Sequence, residues 1–169
     1  MLDEPYVRQA ELMLRCLPEV SRQECFALKG GTAINLFVRP LPRLSVDIDL
    51  TYLPLSPRDE ALDEIGGALQ SMAGDIERHV PGARTTLRSA QNAVTGMGVA
   101  ADDAQIKIEA NLVLRGALFP PVERELCKAA TEFFEMSVIV QSLSTEDLYG
   151  GKIPLPSTGN TPATCMMFT

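Results

Sequence analysis

At 169 residues the chain is long enough for one domain with a sizeable core, and its 46% hydrophobic and 22% charged residues are ordinary for a soluble protein. A net charge of −7 argues against a protein that coats nucleic acid non-specifically, although it leaves room for a local basic groove. No apolar run reaches the length of a membrane span, and four scattered cysteines with one histidine favour reduced cytoplasmic thiols over a zinc site.

The first third of the chain predicts two helices and two strands. Apolar residues recur at helical spacing over 5–17, and 25–30 has the composition of a short apolar strand. Residues 31–38 ("GTAINLFV") predict a second helix, which the proline-rich stretch 39–45 ends. Apolar and polar residues then alternate over 46–53 ("VDIDLTYL"), which predicts a half-buried strand.

Two further helices have recognisable start signals. Ser56 resembles a helix cap, Pro57 suits the first helical position, and acidic residues follow in the first turn of 58–80. Ser144 lies three residues before Asp147, which is a capping pattern, so we expect another helix to begin there.

Between those two helices the sequence predicts mainly strands. Turn-like residues separate the strand candidates, which are 83–90, 92–101, 104–114 and 134–143, and the stretch 115–124 is predicted to be a loop. The predicted fold class is therefore α+β, with helices packed against a mixed or antiparallel sheet.

A glycine turn followed by two closely spaced aspartates is the pattern with the clearest chemistry. Asp47 and Asp49 share one face of their strand about 7 Å apart, and paired carboxylates suit Mg²⁺ held jointly with substrate phosphates. The turn Gly30–Thr32 offers bare backbone N–H groups and a hydroxyl to a triphosphate. Together these are the parts of a phosphoryl- or nucleotidyl-transfer site. The alternative is an ordinary turn followed by a strand with one solvent-facing side.

The combined pattern G-G-T-A-(x)n-R-x-S-x-D-I-D-L, with "STEDLYGGKI" further on, resembles the AbiEii/AbiGii toxin family, a branch of the DNA polymerase β-like nucleotidyltransferase superfamily. The resemblance covers roughly residues 25–153 and implies a nucleotidyltransferase-like mixed sheet flanked by helices. It also implies a Mg²⁺-dependent enzyme that moves a nucleoside monophosphate from an NTP to a hydroxyl of tRNA or a protein. Such an enzyme would be the toxin of a type IV-like toxin–antitoxin or abortive-infection system, with a cognate antitoxin.

The resemblance assigns roles to individual residues. In the family the two aspartates bind magnesium, and a later lysine, here Lys152, contacts the triphosphate. A third carboxylate on a neighbouring strand usually completes the metal site, and Glu109 is the candidate, as metal ligand or as general base. The alternative for Glu109 is an exposed strand residue. The nucleotide-binding set is expected to be Lys29, Gly30, Gly31, Thr32, Arg43 and Ser45, with tying down the preceding loop as the alternative for Arg43.

The end of the sequence departs from the family pattern. Residues 154–169 carry three prolines and no charge, where the family continues with a helix and an aspartate-bearing segment. A shifted reading frame of the back-translated tail restores such a segment. We therefore expect a frameshift after residue 153, an incomplete nucleotidyltransferase-like domain over 1–153, and a non-native or disordered tail over 154–169.

Two other functions stay open at this point. One is a catalytically degenerate remnant that retains nucleotide or partner binding. The other is a small-molecule nucleotidyltransferase of the aminoglycoside-modifying type, because the same superfamily uses such sites.

Overall fold

A computed structural model describes residues 4–90 and 92–150 of the chain. The helices are α1 (Glu4–Ser21), α2 (Gly30–Ala33), which continues as a π-helical turn over Ile34–Val38, α3 (Arg58–His79), α4 (Lys128–Phe134) and α5 (Thr145–Gly150). The strands are β1 (Phe26–Lys29), β2 (Asp47–Tyr52), β3 (Arg84–Ala90), β4 (Ala93–Ala101), β5 (Ala104–Asn111), β6 (Val122–Glu125) and β7 (Ile139–Ser142). Lys152 and the tail 154–169 lie outside the described residues. None of the helices in the described part has the length and apolarity of a membrane span.

The seven strands found in the described residues form one mixed sheet in the order β3-β4-β5-β2-β1-β7-β6. Strand β2 lies in the middle, parallel to β5 and antiparallel to β1. The β1–β7 pair is also parallel, and the remaining neighbours are antiparallel. The predicted α+β class with a mixed sheet is thus confirmed.

Strands β2 and β5 at the centre of the sheet have one mainly apolar face and one mainly polar face. Along β5, the buried residues Ala104, Ile106, Ile108 and Ala110 alternate with exposed polar residues. Helices α1 and α3 contribute their own buried apolar side chains to the same core, including Leu14, Leu17, Ile65 and Leu69. Each fully buried aliphatic side chain stabilises the fold by about 1.5–3 kcal/mol. The polar face of the central strands is therefore the face on which a site can form.

Most predicted elements are confirmed, but two segments near the C-terminal end of the described chain were predicted wrongly. Residues 115–124 were expected to be a loop, whereas β6 occupies 122–125 and pairs with β7 at the sheet edge. Its sequence "VERE" has no apolar alternation because it lies exposed at that edge. The strand expected over 134–143 begins only at residue 139, because helix α4 precedes it and is followed by Glu135, the C-cap, in a left-handed backbone conformation, φ +52°.

The helix-start predictions had mixed outcomes. Ser144 is confirmed as a cap, since its Oγ accepts the backbone N–H of Asp147 at 3.1 Å. Ser56 is not a cap, because α3 begins one residue later than predicted, with Pro57 in the cap position and no side-chain cap bond. Helix α1 runs on to Ser21 rather than stopping near residue 17, and it accommodates a proline inside.

Candidate functional site

The polar face of β2 carries the two aspartates. Asp47 is exposed and Asp49 half-buried, while the alternate residues Ile48, Leu50 and Tyr52 are fully buried on the other face. Strand pairing sets Lys29 of β1 and Glu109 of β5 on either side of Asp49. Residues paired in this way point to the same face of a sheet. The fold thus brings the three predicted carboxylates to one surface.

Gly30 lets the chain pass directly against Asp49. Its φ of +76° lies in the left-handed region, which favours glycine. A Cβ atom at residue 30 would lie only 2.5 Å from Asp49 Oδ2. Glycine is therefore required here on two counts, and the bare backbone of the turn faces the carboxylate.

Thr32 fixes the turn to the aspartate strand. Its side chain is buried, and its hydroxyl donates to the backbone carbonyl of Asp47 at 2.5 Å and lies 2.9 Å from Ser45 Oγ. The sequence prediction offered this hydroxyl to a triphosphate. In the structure the hydroxyl lies against the backbone of β2, so Thr32 orients the start of β2 relative to the glycine turn; its contact with a nucleotide stays a prediction.

Arg43 and Ser45 lie beside the second glycine of the turn. A Cβ atom on Gly31 would be 3.3 Å from Ser45 Oγ and 3.8 Å from Arg43 Nη2. Both side chains belong to the loop that precedes β2, and they are within reach of a ligand held at the glycine turn.

Asn35 belongs to the same region, and the sequence reasoning missed it. Its Nδ2 would lie 3.8 Å from a Cβ on Gly31 and has no hydrogen-bond partner within the described residues, although it is buried. An unsatisfied buried donor costs about 1–3 kcal/mol. An anionic ligand or an ordered water at the turn would supply the missing acceptor. The only sequence signal was an asparagine in an otherwise apolar helix.

Burial raises the pKa of Asp49, and the charges of Asp47 and Glu109 raise it further while Lys29 opposes the shift. The carboxylates therefore repel one another, and a cation between them would relieve that repulsion. Among the described residues, no three His, Cys, Asp or Glu side chains form a ready-made metal cage. Mg²⁺ typically takes one or two carboxylates together with substrate phosphates, so the Asp47–Asp49 pair fits it.

Glu109 is turned partly toward a different partner. Its carboxylate lies 3.9 Å from the guanidinium of Arg88, and its side chain is 57% exposed. Gly96 of β4 lies between these two residues in the strand register. A Cβ on Gly96 would overlap the Ile108 carbonyl and lie 3.4 Å from Glu109 Cγ, so glycine leaves room for this cross-strand pair.

Two cavities flank the aspartates. The cavity on the Asp49 side measures about 650 Å³ and adjoins Lys29 and Gly30; its other lining residues include Leu55, Leu114, Arg115, Leu118 and Leu148. The cavity on the Asp47 side measures about 390 Å³ and is lined by basic side chains, namely Arg84, Arg88 and Lys107. The cavity on the Asp49 side is thus mainly apolar, and the cavity on the Asp47 side carries three basic side chains among its lining residues.

Comparison with known proteins gives a family and a fold. Residues 11–154 match the family model described as "Nucleotidyl transferase AbiEii toxin, Type IV TA system". No curated protein matches the chain in a sequence search.

Among solved structures, the chain is similar to MenT4, a nucleotidyltransferase toxin from Mycobacterium tuberculosis H37Rv, with 16% identity and a TM-score of 0.57. That match covers 87% of this chain and 50% of MenT4, so the chain spans half the length of this relative. At this identity the likeness shows the fold. A weaker match is ANT(2")-Ia in complex with adenylyl-2"-tobramycin, with 17% identity, a TM-score of 0.40, and coverage of 87% of this chain and 79% of that one.

Proposed function

This chain belongs to the AbiEii family of nucleotidyltransferase toxins of type IV toxin–antitoxin systems, and from that premise we propose that it moves a nucleoside monophosphate from an NTP to a hydroxyl acceptor. The observation that carries the proposal is the pair Asp47 and Asp49 on one face of β2, with the bare backbone of Gly30 against Asp49. Paired carboxylates beside the N–H groups of a glycine turn suit a metal–triphosphate complex.

Each residue of the site then has a defined task. Asp47 and Asp49 would hold Mg²⁺, which would neutralise phosphate charge and polarise the α-phosphorus. The N–H groups of Gly30 and Gly31 bind the phosphate oxygens. Lys29 sits next to Asp49 in the strand register and supplies positive charge at the same place.

Further residues complete the proposed phosphate site. Arg43 and Ser45 lie beside Gly31 and add donors. Thr32 holds β2 against the turn through the Asp47 carbonyl, and so keeps the aspartates in position. Lys152, which lies outside the described residues, is proposed to contact the triphosphate.

The transfer step needs a base for the acceptor hydroxyl. We assign this to Glu109, with a place in the metal shell as the alternative, because it lies next to Asp49 in the β2–β5 register. The acceptor oxygen attacks the α-phosphorus, its proton passes to the Glu109 carboxylate, and the bond to the β-phosphate breaks so that pyrophosphate leaves.

The basic cavity beside Asp47 supports an anionic acceptor. Arg84, Arg88 and Lys107 line it in a chain whose net charge is −7. Such a concentration of positive charge favours RNA, with tRNA as the expected example, over a protein hydroxyl. The toxin family further suggests that a cognate antitoxin binds this protein in the cytoplasm.

A binding experiment with a matched control tests the proposal. Mg²⁺ with an NTP should raise the melting temperature of the chain, because a ligand of the native state stabilises it by mass action. The double variant Asp47→Asn/Asp49→Asn should lose that shift. The double variant Asp102→Asn/Asp103→Asn removes two exposed carboxylates from the β4–β5 turn and should keep it. A full shift in the first variant would place binding elsewhere, and no shift in the unmodified chain would contradict nucleotide binding.

A further inference from the structure

The mainly apolar cavity on the Asp49 side, the leucine cavity, is lined by Leu55, Leu114, Leu118, Leu143 and Leu148 next to the residues of the proposed phosphate site. We propose that it holds the nucleoside half of the NTP, and that Arg115 contacts the edge of the base and sets base preference. This inference rests on the proposed function and adds to it the residues that select the nucleotide.

The leucine cavity is continuous with the aspartate site. The leucine cavity begins at Lys29, Gly30 and Asp49, the residues proposed to hold the metal and the phosphates, so a nucleotide whose phosphates lie there can extend its nucleoside into this cavity. The cavity on the opposite side is smaller, about 390 Å³, and Arg84, Arg88 and Lys107 line part of it. Leucine side chains bury the apolar faces of a planar base, and about 650 Å³ lies within the size range of small-molecule pockets.

The wall of the cavity is anchored at several points. The side-chain oxygen of Asn111 accepts the N–H groups of Val113 and Leu114, each at 2.9 Å. Further along, Gly116 donates its N–H to the Tyr52 carbonyl at 2.7 Å. Beyond the glycine, Phe119 donates its N–H to Asp147 Oδ2 at 3.0 Å, which joins the loop to helix α5. The loop 112–119 is therefore held in place although it has no regular structure.

The cavity presents apolar groups to solvent. Leu55 is 85% exposed and Leu118 89% exposed, and both line the cavity. Gly116, with φ +78°, gives Leu55 room, since a Cβ there would lie 2.7 Å from Leu55 Cδ2. Exposed leucines gathered around one concave site are typical of a ligand-binding surface. A bound base would cover them.

Arg115 supplies the polar contact that such a pocket needs. Its Nη1 donates to the Ser56 carbonyl at 2.9 Å, which fixes one end of the guanidinium at the cavity wall. Arginine has five N–H donors, and the others have no hydrogen-bond partner in the part of the chain that the structure describes. Every nucleobase carries acceptor atoms on its edge, arranged differently in each base. A fixed guanidinium therefore discriminates between bases.

The first test compares nucleotides with a probe that lacks the nucleoside. The Kd values of the full chain for the four NTPs and for inorganic tripolyphosphate are measured by calorimetry with Mg²⁺. We expect Leu118→Ser to raise the Kd of all four NTPs about tenfold and to leave that of tripolyphosphate unchanged. Val113→Ser is the matched control, because Val113 is 82% exposed on the same loop but does not line the cavity. It should change neither Kd.

The second test addresses Arg115. Arg115→Gln should change the ratios among the four NTP Kd values by several-fold, while tripolyphosphate binds as before. Thermal denaturation of this variant checks that loss of the Ser56 contact has not unfolded the protein. Unchanged ratios in a folded variant would overturn the role given to Arg115.

Failure of this inference can be told apart from failure of the proposed function. If NTP binding depends on Asp47 and Asp49 but not on Leu118, the leucine cavity does not hold the nucleoside and the proposed function stands. The same conclusion follows if Leu118→Ser weakens tripolyphosphate as much as the NTPs. If the unmodified chain binds neither NTP nor tripolyphosphate, both are overturned.

Discussion

Gly30→Ala is expected to damage nucleotide binding more than folding. The left-handed backbone at Gly30, φ +76°, costs a residue with a side chain about 1–2 kcal/mol. For a protein of this size that loss lowers Tm by about 2–8 °C. The added Cβ would also lie 2.5 Å from Asp49 Oδ2 and 3.3 Å from Asp49 Cβ, so the carboxylate has to turn away from the glycine turn. Because Asp49 is one of the two carboxylates proposed to hold the metal, turning it away should lower Mg²⁺–NTP affinity at least tenfold, which corresponds to about 1.4 kcal/mol.

Gly82→Ala is the matched control for the backbone effect. Gly82 also has a left-handed backbone, φ +73°, but no atom lies within 4 Å of a Cβ placed there. This variant should show a similar loss of Tm and should bind Mg²⁺–NTP like the unmodified chain. Both properties can be read from melting curves recorded with and without the ligand. If Gly30→Ala binds Mg²⁺–NTP as well as Gly82→Ala does, contact between the turn and Asp49 is not what builds the site.

Three further predictions concern the same framework. Burial keeps the pKa of Asp49 above its ordinary value, so the ionised carboxylate lowers the stability of the fold at neutral pH. Asp49→Asn should therefore raise Tm at pH 7 in EDTA. This gain should disappear as the pH falls below the ordinary aspartate pKa, where the carboxyl is protonated in both the folded and the unfolded chain. A gain that is constant from pH 3 to 7 would contradict the assigned cause. Thr32→Val removes the buried donor to the Asp47 carbonyl and should cost about 1–3 kcal/mol in urea denaturation, whereas Thr32→Ser should retain most of the stability. Ser144→Ala removes the cap of α5 and should cost about 0.5–2 kcal/mol, and an unchanged denaturation midpoint would show that the cap is not needed.

The elements that the sequence predicted well are those set by local chemistry. Period-two alternation is strong in β2 and β5, because each has one face in the core and one face free of it. The cap at Ser144 depends only on a residue three positions along. Strand β6 shows neither period-two alternation nor a local capping pattern, because it forms by pairing with β7 in the tertiary structure.

The candidate site was predictable in part for the same reason. Asp47 and Asp49 face the same way because they are two residues apart on one strand. The ion pair between Arg88 and Glu109 depends on the register of three strands, and the buried amide of Asn35 depends on how the helix packs beside the turn. Neither relation can be read from residue spacing. The chemical roles of these side chains stay predictions until they are measured.

Transfer of label from an NTP to an acceptor tests the central claim most directly. The full chain is incubated with Mg²⁺, each α-labelled NTP in turn, and either total RNA or total protein, and covalent label and pyrophosphate are measured together. We predict label in the RNA fraction with equivalent pyrophosphate release, retained by Asp102→Asn/Asp103→Asn and absent from Asp47→Asn/Asp49→Asn. Folded protein that binds nucleotide yet transfers no label to either fraction, or transfer that persists without the two aspartates of β2, would contradict the account.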